Sequence, residues 1–318
     1  MSPLGVFVRG MLMGAADVVP GVSGGTMAFI TGIYDRLLAA IRAVDIAALK
    51  LLLARDVAGL WRHTDGGFLL ALAAGILTSV LSLARLIGWL LENHAVPLWA
   101  FFFGLILASA LILVRQVSRW TALRVLFLGA GLGFALLIGL SPVQSFEGGL
   151  GAVFLAGFVA ICAMILPGIS GSFILVLLGM YGAVLNAVRD FDLLFLAVLA
   201  SGAASGLLVF SRLLHWLLQR YHELTLALLT GLLFGSLVVV WPWKRVLDWT
   251  QGSDGALKPT QQLPVSPAEF QVATGLEPET GLCLAMMVLG FALVAIIDLR
   301  WGNVGAGRGD ADPIGSQR

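Results

Sequence analysis

The sequence predicts an all-α membrane protein that uses one structural unit twice, on the basis of composition, long apolar runs and an internal repeat. Of the 318 residues, 59% are apolar and only 12% are charged, whereas soluble domains carry about 25% charged residues. The apolar residues form continuous runs and lack the strict alternation of a transmembrane β-barrel. Because about 20 apolar residues cross a bilayer as a helix, six runs qualify as spans. The predicted spans are 68–92, 96–115, 124–143, 193–219, 223–243 and 280–299.

The chain contains two related halves. Residues 20–45 and 167–192 match at a constant offset of 147, with ten of 26 positions identical. Residues 68–111 and 195–238 match at an offset of 127, with 15 identities in 44 positions. Apolar helices share leucines by composition alone, but these matches also include polar and aromatic residues. Among them are Tyr34/Tyr181, Arg42/Arg189, Arg85/Arg212 and Trp89/Trp216.

A third match completes the repeat unit. The motif LGFAL occurs at 132–136 and again at 289–293, at an offset of 157. Each unit is therefore predicted to be one broken segment followed by three spans, with the units at 1–145 and 146–302 and a polar tail at 303–318. Internal repeats of this kind are the usual build of secondary transporters.

The orientation of the two units depends on the broken segments, which are predicted at 3–44 and 150–189. If each one is a re-entrant hairpin, each unit crosses the membrane three times and the two units are inverted. If each one is a kinked span, the units are parallel. Lys and Arg favour cytoplasmic loops, and the hairpin arrangement places 13 basic residues on the cytoplasmic side against four on the other. We therefore predict an inverted repeat with both termini in the cytoplasm.

The motifs PGVSGG and PGISGS interrupt the helices of the broken segments and predict half of a ligand site each. Pro20 and Pro167 end a helix because proline lacks a backbone donor. The N–H groups of the helix that starts afterwards carry partial positive charge and bind anions. The predicted substrate-binding residues are Ser23, Gly24, Gly25, Thr26, Ser170, Gly171 and Ser172. Alternatively, these motifs only make tight turns and allow close helix packing.

Arg85 and Arg212 are predicted to bind the same anion. They match across the repeat and lie within long apolar runs, where a charged side chain usually faces a cavity or a partner. The guanidinium group fits phosphate oxygens well. The alternative is that these arginines extend to a nearby membrane surface.

Asp17 is the third charged residue in the predicted site, after Arg85 and Arg212, and its match in the second half is Met164. One interpretation is that Asp17 couples transport to a proton or sodium ion. The other is that it caps the broken backbone or pairs with an arginine such as Arg9. His215 follows Arg212 by three residues on one helix face; it either gates protons or is a polar residue at the interface.

The motifs also indicate a family. The run GAADVVPGVSGGTMAFITGIYDRLL, with LPGISGSFILVLLGMYGAVL and SRLLHWLL, resembles the bacterial polyprenyl-phosphate transporter family over nearly the whole chain. The resemblance implies that undecaprenyl phosphate, the carrier lipid of cell-envelope synthesis, moves from the outer to the cytoplasmic leaflet of the inner membrane. The residues alone indicate an anionic ligand at a symmetric intramembrane site. The 244–279 loop departs from the pattern and would either cover the site entrance or bind a partner.

Three other classes of function were compared with the residues that each class would require. A transporter of a small water-soluble anion would share the hairpins but have a closed cavity, and it stays the main alternative. An intramembrane lipid phosphatase needs clustered nucleophile, base and metal ligands, whereas the four histidines are scattered. A scaffold for cell-wall enzymes would leave the paired arginines unexplained. We therefore predict no enzymatic activity, no metal or other cofactor and no nucleic-acid partner, with Cys162 and Cys283 as packing residues.

Overall fold

The computed structural model describes residues 1–17, 23–141, 148–251 and 257–301, and most of these residues are helical. The helices of the first half are α1 (Pro3–Asp17), α2 (Gly24–Ile30), α3 (Tyr34–Arg42), α4 (Ile46–Leu53), α5 (Val57–His63), α6 (Gly66–Asn93), α7 (Ala95–Gln116) and α8 (Ala122–Leu140). Those of the second half are α9 (Leu150–Ile165), α10 (Gly171–Leu177), α11 (Tyr181–Arg189), α12 (Leu193–Arg220), α13 (His222–Ser236), α14 (Pro267–Thr274) and α15 (Thr280–Trp301). The predicted tail at 303–318 lies outside the described residues.

Aspartates fix several helix starts. The carboxylates of Asp45, Asp56 and Asp192 each accept a hydrogen bond from the backbone N–H three residues further on, at 2.8–3.0 Å. Each bond satisfies one of the N–H groups that the first turn of a helix leaves unpaired. Asp45 and Asp56 thereby divide the predicted loop before the first span into α4 and α5, and Asp192 begins α12.

Five helices within the described residues are long and apolar enough to cross a membrane: α6, α7, α8, α12 and α15. Their outer surfaces carry large apolar side chains, and Leu81, Leu137 and Leu299 are each at least 68% exposed. Such exteriors suit contact with lipid. This confirms the prediction of an all-α protein with membrane-spanning helices. The predicted span 223–243 differs, because α13 ends at Ser236 and continues as a turn.

The first helix of each half packs in the same way against the first long span of that half, α1 on α6 and α9 on α12. A Cβ on Gly10 would overlap the carbonyl oxygen of Leu72, and a Cβ on Gly157 would overlap that of Leu199. These contacts are related by the sequence offsets of 147 and 127. The repeat in the sequence is therefore also a repeat of helix packing, made possible by glycine at both crossings.

The central spans exchange partners between the halves, because α7 packs on α15 and α8 packs on α13. Gly104 lies against the carbonyl of Met287, and Gly231 lies against that of Leu128. Since Gly104 matches Gly231, these contacts make Leu128 equivalent to Met287, at an offset of 159. The LGFAL match, at 157, is thus two residues out of register with the packing. Whether the halves are inverted across the membrane stays a prediction.

The segment between α13 and α15, predicted as a loop, contains regular structure. Strands β1 (Lys244–Gln251) and β2 (Leu257–Pro264) form an antiparallel ribbon, which is followed by α14. The indole N–H of Trp241 donates to the carbonyl of Val265 and that of Trp243 to the carbonyl of Pro278, both at 2.9 Å. Tryptophan anchors therefore hold the ribbon against the ends of the spans.

Candidate functional site

The first broken segment comprises α1, which ends at Asp17, and α2, which begins at Gly24. Residues 18–22, which include Pro20, lie outside the described residues. On the far side of the break, the Gly24 N–H donates to Asp17 Oδ1 at 2.7 Å, and the Gly25 N–H donates to Ser23 Oγ at 3.1 Å. The start of α2 is therefore capped by two side chains of its own segment. Further on, Gly32 turns the chain at φ +69°, as Gly179 does at φ +65° in the second half.

The two breaks are bonded to each other. Ser23 Oγ donates to the carbonyl of Met164 at 2.9 Å, and the Gly168 N–H donates to Thr26 Oγ1 at 3.0 Å. Tyr34 adds a third link through its hydroxyl, which donates to the carbonyl of Ile165 at 2.9 Å. Interrupted backbone survives in a membrane only where protein or a polar cavity surrounds it. Here side chains of the first broken segment satisfy polar backbone groups of the second.

The second break is less fully capped than the first. Ser170 is buried and makes no cap to α10; its hydroxyl pairs instead with that of Ser172, at 2.8 Å. Ser170, Gly168 and Ser236 help to line a cavity of about 10 Å³, which is roughly the space of one water molecule. Both α2 and α10 are only seven residues long, so the helix starts on which the sequence prediction rested are short.

The predicted hairpin residues lie close together and are buried. Gly24, Gly25 and Thr26 are buried on one side of the contact, and Ser170 and Gly171 are buried on the other. A Cβ on Gly25 would lie 2.6 Å from the carbonyl oxygen of Ile165, so the two segments pass at backbone distance. The role of these residues in substrate binding stays a prediction.

Asp17 acts as a cap in this structure, which is one of the two roles considered for it. Arg9, two turns earlier on α1, is also buried, and its guanidinium donates to the carbonyls of Thr31 and Gly5, both at 3.0 Å. Arg9 thus joins α1 to the end of α2. The proposed ion-coupling role of Asp17 stays a prediction.

Arg212 lies apart from the two breaks. Its guanidinium donates to the carbonyls of Leu208 and Val44, at 3.2 and 3.1 Å. It lines a polar cavity of about 530 Å³ with Arg42, Asp45, His63 and His215, and none of the predicted substrate-binding residues of the PGVSGG and PGISGS motifs shares that lining. The side chain of Arg85 lies outside the described residues. The predicted convergence of the two arginines is therefore untested.

A second large cavity is almost wholly apolar. It has a volume of about 380 Å³ and lies between α1, α2, α6, α7 and α15. Its wall reaches the first break through Ala16 and Met27. His94 is the one titratable residue among its lining side chains. The cavity places space for a hydrocarbon chain beside the interlocked breaks.

The described residues are packed asymmetrically around the two halves. Helix α3 packs against α12 of the other half, whereas the matching pair, α11 and α6, makes no substantial contact among the described residues. The apolar cavity opens on the side of α6, and the polar cavity lies on the side of α12. The two halves are therefore packed differently among the described residues.

Sequence reasoning missed Tyr34, Arg42 and Met27 as members of these sites. Tyr34 and Arg42 were already visible as repeat matches with Tyr181 and Arg189, and that signal was sufficient to single them out. Met27 carried no such signal, because an apolar residue in an apolar segment does not indicate which cavity it lines.

Repeated halves with broken helices that meet each other are features of secondary transporters. The chain matches, over residues 13–258, the model of the VCA0040-like family, described as undecaprenyl phosphate translocase-like. It belongs to this family. It is 49% identical to a polyprenyl-phosphate transporter of Vibrio cholerae over 294 residues, 92% of this chain and 96% of the relative. It is 30% identical to a polyprenyl-phosphate transporter of Staphylococcus aureus over 253 residues, 74% of this chain and 85% of the relative. No solved structure matches the chain.

Proposed function

We propose that this protein is a flippase that transfers undecaprenyl phosphate from the outer to the cytoplasmic leaflet of the bacterial inner membrane, for reuse of the carrier lipid in cell-envelope synthesis. The names of the two relatives support the class of substrate. The observation that carries the proposal is the apolar cavity beside the two interlocked breaks. A lipid with a charged head needs both kinds of surface in one place.

The head of the lipid would be bound by polar groups of the two halves. We assign this role to Arg85 and Arg212, with Ser23 to Thr26 and Ser170 to Ser172 of the hairpins. At present the hydroxyls of Ser23 and Thr26 are bonded across the break, so transfer requires the hairpins to separate and to exchange these bonds for bonds to phosphate oxygens. The tail would lie in the apolar cavity and in the bilayer.

The asymmetry of α3 and α11 supports a mechanism in which the two faces open in turn. In the present state α3 packs on α12, and space is open beside α6. In the opposite state α11 would pack on α6, and α3 would leave α12. In the orientation with cytoplasmic termini, the present state is open towards the outer leaflet. Such a change uses the two-fold relation of the repeat and requires no new fold.

Asp17 would connect this change to a proton or sodium ion. It holds the start of α2 through a bond to the Gly24 N–H, so a cation that binds the carboxylate would compete with this bond and loosen the first hairpin. Among the described residues no cluster of His, Cys, Asp and Glu could hold a metal ion, and we propose a transporter without enzymatic activity.

The proposal is tested by reconstituting the purified protein in liposomes and measuring the leaflet transfer of labelled undecaprenyl phosphate. We expect Arg85→Ala and Arg212→Ala each to lower the transfer rate at least tenfold while the proteins stay folded. Arg62→Ala is the matched control, because Arg62 is an exposed arginine whose guanidinium meets only the carbonyl of its own helix at Ala58. Wild-type rates in both arginine variants would rule out these residues as the headgroup site.

Release of inorganic phosphate during the assay would instead indicate an enzyme. Equal transport of a small soluble anion, blocked by the same variants, would favour the alternative transporter class. In that case the apolar cavity would have no role, and filling it would leave transport unchanged.

A further inference from the structure

The polar cavity around Arg212 has the properties of a second binding site. It has a volume of about 530 Å³ and lies between the end of α3, α5 and the second half of α12. We propose that this cavity binds a phosphate monoester group, with Arg42 and Arg212 as its cationic partners and His215 in its wall. The inference deepens the proposed function, on which it rests only for the identity of the lipid that supplies the phosphate.

The two arginines of this cavity, Arg42 and Arg212, have no ion-pair partner among the described residues. Arg212 donates only to neutral carbonyls, so several of its five N–H groups are available to another acceptor. Two guanidinium groups on facing helices form a suitable clamp for phosphate oxygens.

The carboxylate in the cavity wall is already engaged. Asp45 accepts a hydrogen bond from the Ala48 N–H at 2.9 Å and contacts His63 Nε2 at 3.1 Å. These bonds, the backbone bond first, hold the pKa of Asp45 below its usual value. Asp45 is therefore hydrogen-bonded to α4 and His63 and forms no ion pair with Arg42 or Arg212, while Asp35 acts electrostatically on His215 from the start of α3.

His215 provides an independent indication of a missing partner. Its side chain lines the cavity, it is only 9% exposed, and its Nε2 has no hydrogen-bond partner in the described structure. Buried polar atoms are almost always hydrogen-bonded. His215 follows Arg212 by one turn of α12 on the same face, and both residues line the cavity.

The surroundings indicate that the cavity opens at the depth of lipid headgroups. Next to it, α4 exposes Ile46, Leu49 and Leu53, as expected of a helix that lies on a membrane surface. Trp216 lines the cavity, is half exposed and packs edge-on against Tyr221 with ring centroids 5.6 Å apart. Such aromatic pairs mark the membrane–water interface. A phosphate on a lipid would reach the arginines without leaving this level.

Charge distinguishes the ligand from ordinary phospholipids. A phosphate monoester carries about −1.5 to −2 charges at pH 7, whereas a phosphodiester headgroup has a single ionisable oxygen. Two arginines and the exposed edge of the cavity therefore favour the monoester. The positions that match Arg42 and Arg212 in the other half, Arg189 and Arg85, are also arginines, so both copies of the unit carry the residue types of the clamp.

The binding test uses the full-length protein in detergent and two probes. Native mass spectrometry measures binding of phosphatidic acid, a phosphate monoester lipid, with phosphatidylglycerol as the diester comparison, and calorimetry measures binding of inorganic phosphate. We expect Arg42→Gln and Arg212→Gln each to weaken phosphatidic acid binding at least tenfold, His215→Phe to weaken it several-fold, and Arg62→Gln to leave it within twofold. Binding of phosphatidic acid alone assigns the cavity to a lipid headgroup, and equal binding of inorganic phosphate assigns it to free phosphate.

Unchanged phosphatidic acid binding in both Arg42→Gln and Arg212→Gln would overturn the inference. So would an equal loss in Arg62→Gln, because that result would mean a general attraction to basic residues. Binding is measured without transport, so the two proposals fail separately. If binding depends on Arg42 and Arg212 but liposomes show no lipid transfer, the cavity is a phosphate site and the proposed function is wrong.

Discussion

The hydroxyl of Ser23 in the first broken segment donates a hydrogen bond to the main-chain carbonyl of Met164 in the second broken segment, 141 residues further along the chain. With the bond from Gly168 to Thr26, it makes the contact between the two halves polar at the point where both backbones are interrupted. In the proposed mechanism, the interface that opens is therefore held in part by hydrogen bonds that can be exchanged for bonds to the ligand.

Removing these hydroxyls should weaken the closed contact. Ser23→Ala and Thr26→Val each leave a buried backbone group unpaired, which costs about 1–3 kcal/mol of unfolding free energy. The effect is measured by unfolding in mixed micelles. Ser201→Ala is the control, because Ser201 is exposed on α12 and bonds only within its own helix. Equal stability of Thr26→Val and the wild type would show that the cross-break bonds do not hold the hairpins together.

Asp17→Asn separates the two roles of Asp17. The amide oxygen still accepts the hydrogen bond from Gly24 that the carboxylate accepts at 2.7 Å, so we expect wild-type stability. Transfer in liposomes should then no longer respond to an imposed proton or sodium gradient. Asp192→Asn, at the exposed cap of α12, should keep that response. A gradient response retained in Asp17→Asn would leave Asp17 with the capping role alone.

The Arg36–Asp65 pair should give a pH-dependent part of the stability. Arg36 donates to Asp65 through two nitrogens, at 2.6 and 3.0 Å, and lies over the ring of Phe68. The hydrogen bond with Arg36 is the main cause that holds the pKa of Asp65 below its usual value. A lowered carboxyl pKa stabilises the fold above the unfolded-state pKa of about 3.9, and this contribution is lost as the pH falls through the folded-state value.

We therefore expect Arg36→Gln to lower the unfolding free energy by about 0.5–1 kcal/mol at pH 7, a value limited by the exposure of both side chains. The difference from the wild type should shrink below about pH 4 as Asp65 becomes protonated. Unfolding titrations at several pH values measure it, with Arg62→Gln as the control. A difference that grows towards acid pH would contradict the sign of this linkage.

The matched glycine crossings predict matched costs. Gly10→Ala and Gly157→Ala each introduce a methyl group that would overlap a backbone carbonyl oxygen of the facing helix. We expect each substitution to lower the unfolding free energy by about 1–3 kcal/mol. Gly133 on α8 has open space where a Cβ would lie, so Gly133→Ala should stabilise the helix by up to about 1 kcal/mol. Unfolding titrations compare the three variants. A neutral Gly157→Ala beside a costly Gly10→Ala would mean that the two crossings are not equivalent.

Filling the apolar cavity should impair transfer without unfolding the protein. Ala15 lines the cavity, and Ala15→Phe would occupy space that the lipid tail requires. We expect at least a fivefold lower rate of undecaprenyl phosphate transfer and an unchanged fold by circular dichroism. Leu126→Phe is the control, because Leu126 is 64% exposed on the outer surface of α8. A wild-type rate in Ala15→Phe would remove this cavity from the mechanism.

The sequence was sufficient to predict those features of the fold that depend on local composition. The bilayer fixes the length of an apolar helix, so five predicted spans appear as long helices. The family resemblance, carried by PGVSGG and its neighbours, is confirmed by the match over residues 13–258. The inverted orientation, the unit boundaries and the substrate-binding residues stay predictions.

What the sequence did not predict depends on contacts between distant segments. The bonds from Ser23 to Met164 and from Arg212 to Val44 join residues of different halves, and no periodic pattern encodes them. The two-residue shift of the LGFAL match arose because similar apolar letters align more easily than helix crossings do. The ribbon at β1 and β2 was missed because Pro, Gly, Gln and Thr favour loops by composition, whereas Trp241 and Trp243 anchor it through tertiary contacts.

The exchange of partners between α7 and α15 and between α8 and α13 has a consequence for how such a molecule is made. When only the first half has been synthesised, α7 and α8 are already in the membrane, but the helices on which they pack, α15 and α13, do not yet exist. For the same reason, a half-length chain would be complete only when two identical copies traded these helices. The present chain is equivalent to such a dimer joined end to end, and the join lets Asp17 differ from Met164, which two identical chains would not allow.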